Sequence, residues 1–267
     1  MTRLLITSRT LLDGRVGLIW WAVGLFVYTA FIMAVWPVID GNEDFQELAD
    51  SYPEGIQALM GGSDAFAAFT TPAGFLNAYL FSMILPLLLV ALGVTMGASL
   101  VAGEEENGLL DLLLSNPVSR GRAIAEKALA IVVALVGLGV ILSLVILGVG
   151  LIVDLTIGLD KLVAAIVGTL LFGFLHALIS MLAGAAKGSK GFALGLGLGL
   201  ALVGYLLNVV ANIDNSLEWL RWGSALYYAT ADDPLANGMP VEYVVLVAAC
   251  MVTFAATLVA FRRHDLS

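Results

Sequence analysis

Charge-free apolar runs recur six times along the chain, over about residues 16–39, 72–103, 128–153, 162–186, 191–213 and 243–261, and no Asp, Glu, Lys or Arg interrupts any of them. A helix needs about 20 apolar residues to cross the hydrocarbon core, so each run predicts one transmembrane span. The second belongs to a longer apolar stretch, Ala65 to Gly103, whose first part is expected to lie outside the bilayer or at its interface. Pro72 marks a start for this span and Pro86 a kink. The first run follows Arg3, Arg9 and Arg15, as a signal peptide would. It is too long for a signal core and lacks a small-residue cleavage site before its acidic flank, so it reads as a retained helix. The pattern predicts an all-α integral membrane protein with one transmembrane domain over residues 1–267.

Six spans put both ends of the chain on one side. That side carries Arg3, Arg9, Arg15, Arg120, Arg122, Lys127, Lys187, Lys190, Arg262 and Arg263, and the other only Lys161 and Arg221. Ten cations against two predict cytoplasmic termini. Composition agrees with a lipid environment: 60% of residues are hydrophobic and 12% charged, about half the roughly 25% of soluble proteins. The net charge of −9 owes much to the first outer loop, with Asp40, Glu43, Asp44, Glu47, Asp50, Glu54 and Asp64. A solvated outer face is the main reading of that loop, and a cation-attracting vestibule the alternative. The lone Cys250 lies in an apolar run and reads as a small buried residue.

The loop between spans two and three, VAGEEENGLLDLLLSNPVSRGRAIAEKALA over Val101 to Ala130, is unusual for an inner loop. Three glutamates at a helix C-terminus would face its partial negative charge, so Glu104, Glu105 and Glu106 are expected to begin a new helix. Leu109, Leu110, Leu112, Leu113 and Leu114 give that helix an apolar face. Asn116-Pro117 ends it, and Ser119 caps the next helix. A lipid-gripping interfacial helix is the bland reading, but such helices favour basic polar faces. The acidic face here points to a protein partner.

These residues resemble the signature loop of the ABC-2 type permease family: Gly103, Glu104, Gly108, Leu110, Leu113, Leu114, Pro117 and Arg120, with Leu109 where the family often has Thr. The likeness extends along the chain. Arg9, Leu11, Leu12 and Arg15 resemble the family's interfacial helix before span one. The stretch LEWLRWGSALYYATADDPLANG, from Leu217 to Gly238, resembles its outer segment before the last span. Phe261 to Leu266 resembles its cationic tail, with His264 in place of the common Arg. The resemblance implies a coupling helix between spans two and three that docks into a separate ATP-binding subunit. Glu104, Glu105, Glu106, Gly108, Leu110, Leu113, Leu114, Pro117 and Arg120 are its candidate docking residues. It further implies two ATP-binding subunits per complex, which bind the ATP and Mg, and a second permease copy in a homodimer or pseudo-dimer. The copies would meet chiefly through spans two and five, with the path between them. An aromatic outer segment between spans five and six would form short helices dipping back into the outer leaflet. The location implied is a prokaryotic cell membrane, with lipid as a partner and no nucleic acid.

Within the chain no G-x-x-x-x-G-K-[ST] loop occurs. The Gly184 to Lys190 text has the wrong spacing, and Gly191, Gly195, Gly197 and Gly199 follow no strand. The chain itself is therefore expected to hold no cofactor and to do no covalent chemistry. His176, with Ser180 one turn on, is the one ionisable mid-span candidate. It reads first as a neutral histidine bonded to a neighbouring helix, and second as a proton or substrate site. Gly93 and Gly97, like Gly191, Gly195 and Gly199, form small-residue faces for helix packing within the subunit or between subunits. Asn77, Tyr79, Tyr205, Asn208 and Asn212 are candidates equally for a polar path or for interhelical hydrogen bonds. The rival function is a secondary transporter or channel working without an ATPase.

Overall fold

The computed structural model describes residues 5–40, 71–109, 119–213 and 215–263. Among the described residues every regular element is helical. Six helices are long and apolar enough to cross a membrane: Arg15–Ile39, Pro72–Glu106, Arg120–Gly150, Leu159–Lys187, Lys190–Ile213 and Tyr243–Arg262. They are spans one to six below. A short helix, Leu5–Asp13, precedes span one. The acidic loop beyond Asp40, the loop residues Leu110, Leu113, Leu114 and Pro117, and the tail from His264 lie outside the described residues.

Span four is the axis of the bundle. It packs against spans two, three, five and six, and most of its apolar window is buried. Hydrocarbon offers no hydrophobic drive for two apolar helices to associate, so close packing must supply it. Spans two and four achieve this with glycines on both sides. A Cβ on Gly93 would stand 2.6 Å from the Gly173 carbonyl oxygen, and one on Gly97 would collide with the carbonyl oxygen of Ala177. A Cβ on Gly173, in turn, would meet the Leu89 carbonyl at 3.1 Å. Spans one, five and six bury much less of their windows. They turn large apolar residues such as Trp20, Phe31, Leu202 and Val252 outward.

Span two starts where its sequence indicates. Pro72 occupies the first turn and the Thr71 hydroxyl caps it by accepting from Gly74 N at 3.1 Å. The irregularity tied to Pro86 falls further back. A wide turn runs over Asn77–Phe81, and Met83 (φ −143°, ψ −57°) breaks the helix before Ile84–Ala98 resumes it. A proline ring clashes with the carbonyl four residues earlier and supplies no N–H to it. For Pro86 that carbonyl belongs to Ser82, which is where the helix gives way.

One expectation needs correction. Glu104, Glu105 and Glu106 do not open a new helix: they form the last turn of span two, reached through a second wide turn over Ser99–Gly103. The chain then leaves the helix at Gly108, whose φ of +67° suits glycine and whose N–H donates to the Glu105 carbonyl at 2.9 Å. The helix of span three begins at Arg120, ahead of its charge-free run and where the Ser119 cap was expected to start it, and the Ser119 hydroxyl accepts from Arg122 N at 3.3 Å. Arg122, Glu126 and Lys127 are thereby helical residues of the span.

Between spans five and six the chain makes a 3₁₀ helix over Asn215–Gly223 and two short helices over Ala225–Thr230 and Pro234–Asn237. The two short helices fold back onto span four. Gly168 leaves room there for the Tyr243 hydroxyl, which donates to the Ala164 carbonyl at 2.8 Å and lies 3.3 Å from that of Ala229. Trp219 and Trp222 remain outward-facing. Arg221 pairs with Glu218 at 2.6 Å and lies over the Tyr227 ring at 5.0 Å. The turn into the last short helix needs two non-glycine residues at positive φ, Asp232 (55°) and Asp233 (46°), a conformation that Asp and Asn tolerate best.

Two predictions follow from this packing. Gly97→Ala must separate spans two and four or bend one of them, and overpacking of this kind costs about 1–3 kcal/mol. Thermal unfolding in detergent should fall clearly for Gly97→Ala and hold for Gly148→Ala, where nothing lies within 4 Å of an added Cβ. Equal stability of the two variants refutes the close contact. The second concerns Asp233, outside the spans. Burial holds its carboxyl above the ordinary value of 3.8. The folded chain therefore binds this proton more tightly than the unfolded one, and stability declines as pH rises from 3.8 through the raised folded value. Asp233→Asn keeps a residue that accepts positive φ and removes the titration. Its unfolding temperature should match the parent at low pH and exceed it increasingly as pH rises; parallel pH curves count against the burial.

Candidate functional site

One end of the bundle gathers the end turns of spans two, three, four and five together with helix Leu5–Asp13, and several of its ionic groups join them. Lys127 of span three has none of its surface exposed. Its ammonium donates to the Leu100 carbonyl at 2.5 Å and to Glu104 Oε2 at 2.7 Å. Both acceptors belong to the wide turn and last turn of span two. A buried ammonium is tolerated only where its charge and its N–H groups find partners, and Glu104, nearly a quarter exposed, supplies the balancing charge.

The other two glutamates join span two to the connection between spans four and five. Gly188, which ends span four at φ +61°, lies against the Glu105 carboxylate: a Cβ there would stand 2.9 Å from Oε1. Glu106 Oε1 accepts from the backbone N–H of Lys190 at 2.8 Å, in the first turn of span five. An acid at a helix N-terminus meets unsatisfied N–H groups and the positive end of the helix dipole. Glu106 thus satisfies the electrostatic preference of acids for helix starts, but at the start of another helix.

Glu126, beside Lys127, faces the N-terminal helix. Its Oε2 accepts from Ile6 N at 2.9 Å, and its own backbone carbonyl accepts from the Thr7 hydroxyl at 2.9 Å. Arg122, one turn earlier, pairs with Glu126 Oε1 at 2.8 Å. Nothing in the local sequence announces these contacts. Glu104 and Lys127 are 23 positions apart, and Ile6 and Glu126 are 120 apart. The one local signal available was the adjacency of an acid and a base near the head of a largely apolar helix.

Of the other docking candidates, Gly108 forms the helix exit and Arg120 the first turn of span three. Leu109, next to Gly108, is 51% exposed. The candidates for a path divide. Asn77 and Tyr79 sit in the wide turn of span two. The Asn77 carbonyl accepts from the Ser82 hydroxyl at 2.8 Å, and the Tyr79 carbonyl accepts from the Tyr28 hydroxyl of span one at 2.9 Å. The Tyr205 hydroxyl of span five reaches Met83 Sδ at 3.3 Å. It borders a small apolar cavity of about 150 Å³ shared with Pro86, Phe172 and Leu226. Asn208 is half-buried and Asn212 exposed. Gly93 and Gly97 face span four inside the subunit, whereas Gly195 and Gly199 have open space around them.

His176 is buried in span four. Its Nδ1 lies 2.8 Å from the Phe172 carbonyl of its own helix, and its ring meets the Phe172 ring edge-on at 4.5 Å. The Ser180 hydroxyl does the bridging: it stands 3.1 Å from the Val94 carbonyl of span two and 3.0 Å from the Ala193 carbonyl of span five. Among the described residues no group of three His, Cys, Asp or Glu side chains converges as a metal site would.

Comparison with known proteins agrees with this architecture. The model of one family, described as an ABC-2 family transporter protein, matches residues 10–266, nearly the whole chain. No curated protein matches it. With six membrane-length helices and a family match over almost its full length, the chain belongs to the ABC-2 transporter family, as a multi-pass membrane permease subunit.

Proposed function

We propose that this chain forms the translocation path of an ATP-driven exporter and takes its mechanical work from a separate ATP-binding subunit. The observation that carries this reading is the family match over residues 10–266. The chain's own sequence supports it, because it holds no phosphate-binding loop and its spans carry no mid-membrane acid or base apart from His176. An ion-driven carrier normally needs such groups to bind its coupling ion.

In this reading the termini, the glutamate triplet and the loop after Gly108 face the cytoplasm of a prokaryotic cell, and ATP with Mg is bound by the partner. Two partner subunits serve two permease copies, alike or related. The loop from Gly108 through Pro117 to Arg120 docks into the partner. Glu104, Glu105 and Glu106 turn toward spans three, four and five, so Leu109 is the described group best placed to touch it. The open glycines Gly195 and Gly199 give span five a face on which another copy can pack closely. The short helices after span five, with Trp219 and Trp222 outward, close the outer end of the path at the depth where amphipathic rings prefer to lie.

The test is coexpression with the genes beside its own, followed by purification through a tag on this chain. An ATP-binding subunit should copurify. Leu109→Asp should reduce its recovery by roughly tenfold or more, as loss of an apolar anchor does at an interface. Glu104→Lys is unsuitable as the probe because it would set a second cation against buried Lys127. Full recovery with Leu109→Asp removes the docking role. Uphill cargo movement by the chain alone, in vesicles without nucleotide, removes the whole reading.

A further inference from the structure

We propose that a cavity of about 830 Å³ between helix Leu5–Asp13 and span two binds one phospholipid with an ethanolamine headgroup, its phosphate on Arg9 and its ammonium on Asp13. Such a site needs only that span one crosses the bilayer, whatever drives transport. Helix Leu5–Asp13 passes into span one through Gly14, whose N–H donates to the Thr10 carbonyl at 3.0 Å, so it lies at the membrane face where that span starts. Leu5 and Leu12 stay largely exposed on it, as apolar residues do on a helix lying in the interface. Both line the cavity, and Met96 and Leu100 of span two complete its apolar wall. Ligand sites run from about 300 to 1,000 Å³, so this one has room for a headgroup, its glycerol and the first carbons of the chains.

Charge selects the headgroup. Among the described residues the charged groups lining the cavity are Arg9, Asp13 and Glu104, and Glu104 is already matched by Lys127. Arg9 and Asp13 share one helix face a turn apart, with about 5–6 Å between Cβ atoms. They pair neither with each other nor with any other side chain. Their order gives the reason, because a base four residues ahead of an acid is the weaker arrangement on a helix. Two unpaired opposite charges beside an apolar wall fit a ligand that carries the reverse charges a short distance apart and an apolar tail. Phosphate and ammonium joined by an ethylene link meet that demand. The primary ammonium donates hydrogen bonds that a carboxylate accepts strongly. A choline head has the charge but no N–H to donate, and a glycerol head brings no cation to Asp13. On the opposite wall Ser99, at the start of the wide turn of span two, adds a hydroxyl donor for the phosphate, and such turns are frequent at functional sites.

The experiment is native mass spectrometry of the full chain in nonionic detergent, titrated with phosphatidylethanolamine, phosphatidylcholine or phosphatidylglycerol of identical chains. The ethanolamine lipid should bind as a single copy per chain, about tenfold more tightly than either of the others, the worth of one hydrogen bond to a charged group. Asp13→Asn should erase the preference over the choline lipid. Arg9→Gln should weaken all three lipids by about tenfold and keep the preference, since every one carries the phosphate. Both residues are exposed, so neither variant takes packing from the core. Free phosphoethanolamine, a soluble source of the same two charges, should bind roughly a hundredfold more weakly for want of chains to bury. Equal binding of the three lipids by the parent overturns the site, as does an unchanged preference in Asp13→Asn or an unchanged affinity in Arg9→Gln. Free phosphoethanolamine binding as tightly as the lipid overturns the lipid as its occupant.

Discussion

A single lysine ammonium, withdrawn from water at the edge of the hydrocarbon, sets the arrangement of one whole end of this protein. Removing such an ion from water costs on the order of several kcal/mol even after relaxation, and only well-placed partners offset it. Lys127 usually would have another option, since long cationic side chains at span ends extend their heads to the interface. Here it is fully enclosed, so Leu100 and Glu104 must come to it. That demand fixes the rotation of the last turns of span two against span three. Once span two is fixed, Glu105 and Glu106 fall beside Gly188 and Lys190 N, and the turn between spans four and five is placed as well.

The middle of the bundle is held by a different principle. Spans two and four approach through Gly93, Gly97 and Gly173 until backbone meets backbone, and the Ser180 hydroxyl ties span four to spans two and five at the same level. Close packing and shared hydrogen bonds replace the hydrophobic effect, which vanishes between an apolar helix and lipid. Spans one, five and six have no comparable inward glycine contacts of this kind except at Gly197, against Val94 and Ser180. The molecule is therefore tight along its axis and open at its flanks, with ionic ties restricted to the ends.

The sequence made the spans legible because hydropathy is a local property. Each helix lies where an unbroken apolar run lies, and the start at Pro72 and the Ser119 cap before Arg120 are local signals that the structure uses as written. What could not be read locally was every contact between distant elements. The helix-dipole rule, applied to span two alone, made Glu104–Glu106 look misplaced and called for a new helix. The rule holds, but the compensating charges come from Lys127 and from the first turn of span five. Likewise, Gly93 and Gly97 were open to packing inside or between subunits until span four was seen against them. The break near Pro86 was displaced to Met83 because a proline disturbs the turn before it rather than its own.

The acid triplet illustrates why a motif shared with a family does not by itself give each residue its task. Three consecutive glutamates on a helix point in three directions, about 100° apart. One finds a lysine, one the end of span four and one the start of span five. A surface made for binding would set its acids on one face. A junction that must hold three helices around a fourth needs them spread around the axis, as they are here. Leu109, exposed just past Gly108, takes no part in that junction, so the docking proposed above suits it better than it suits the triplet.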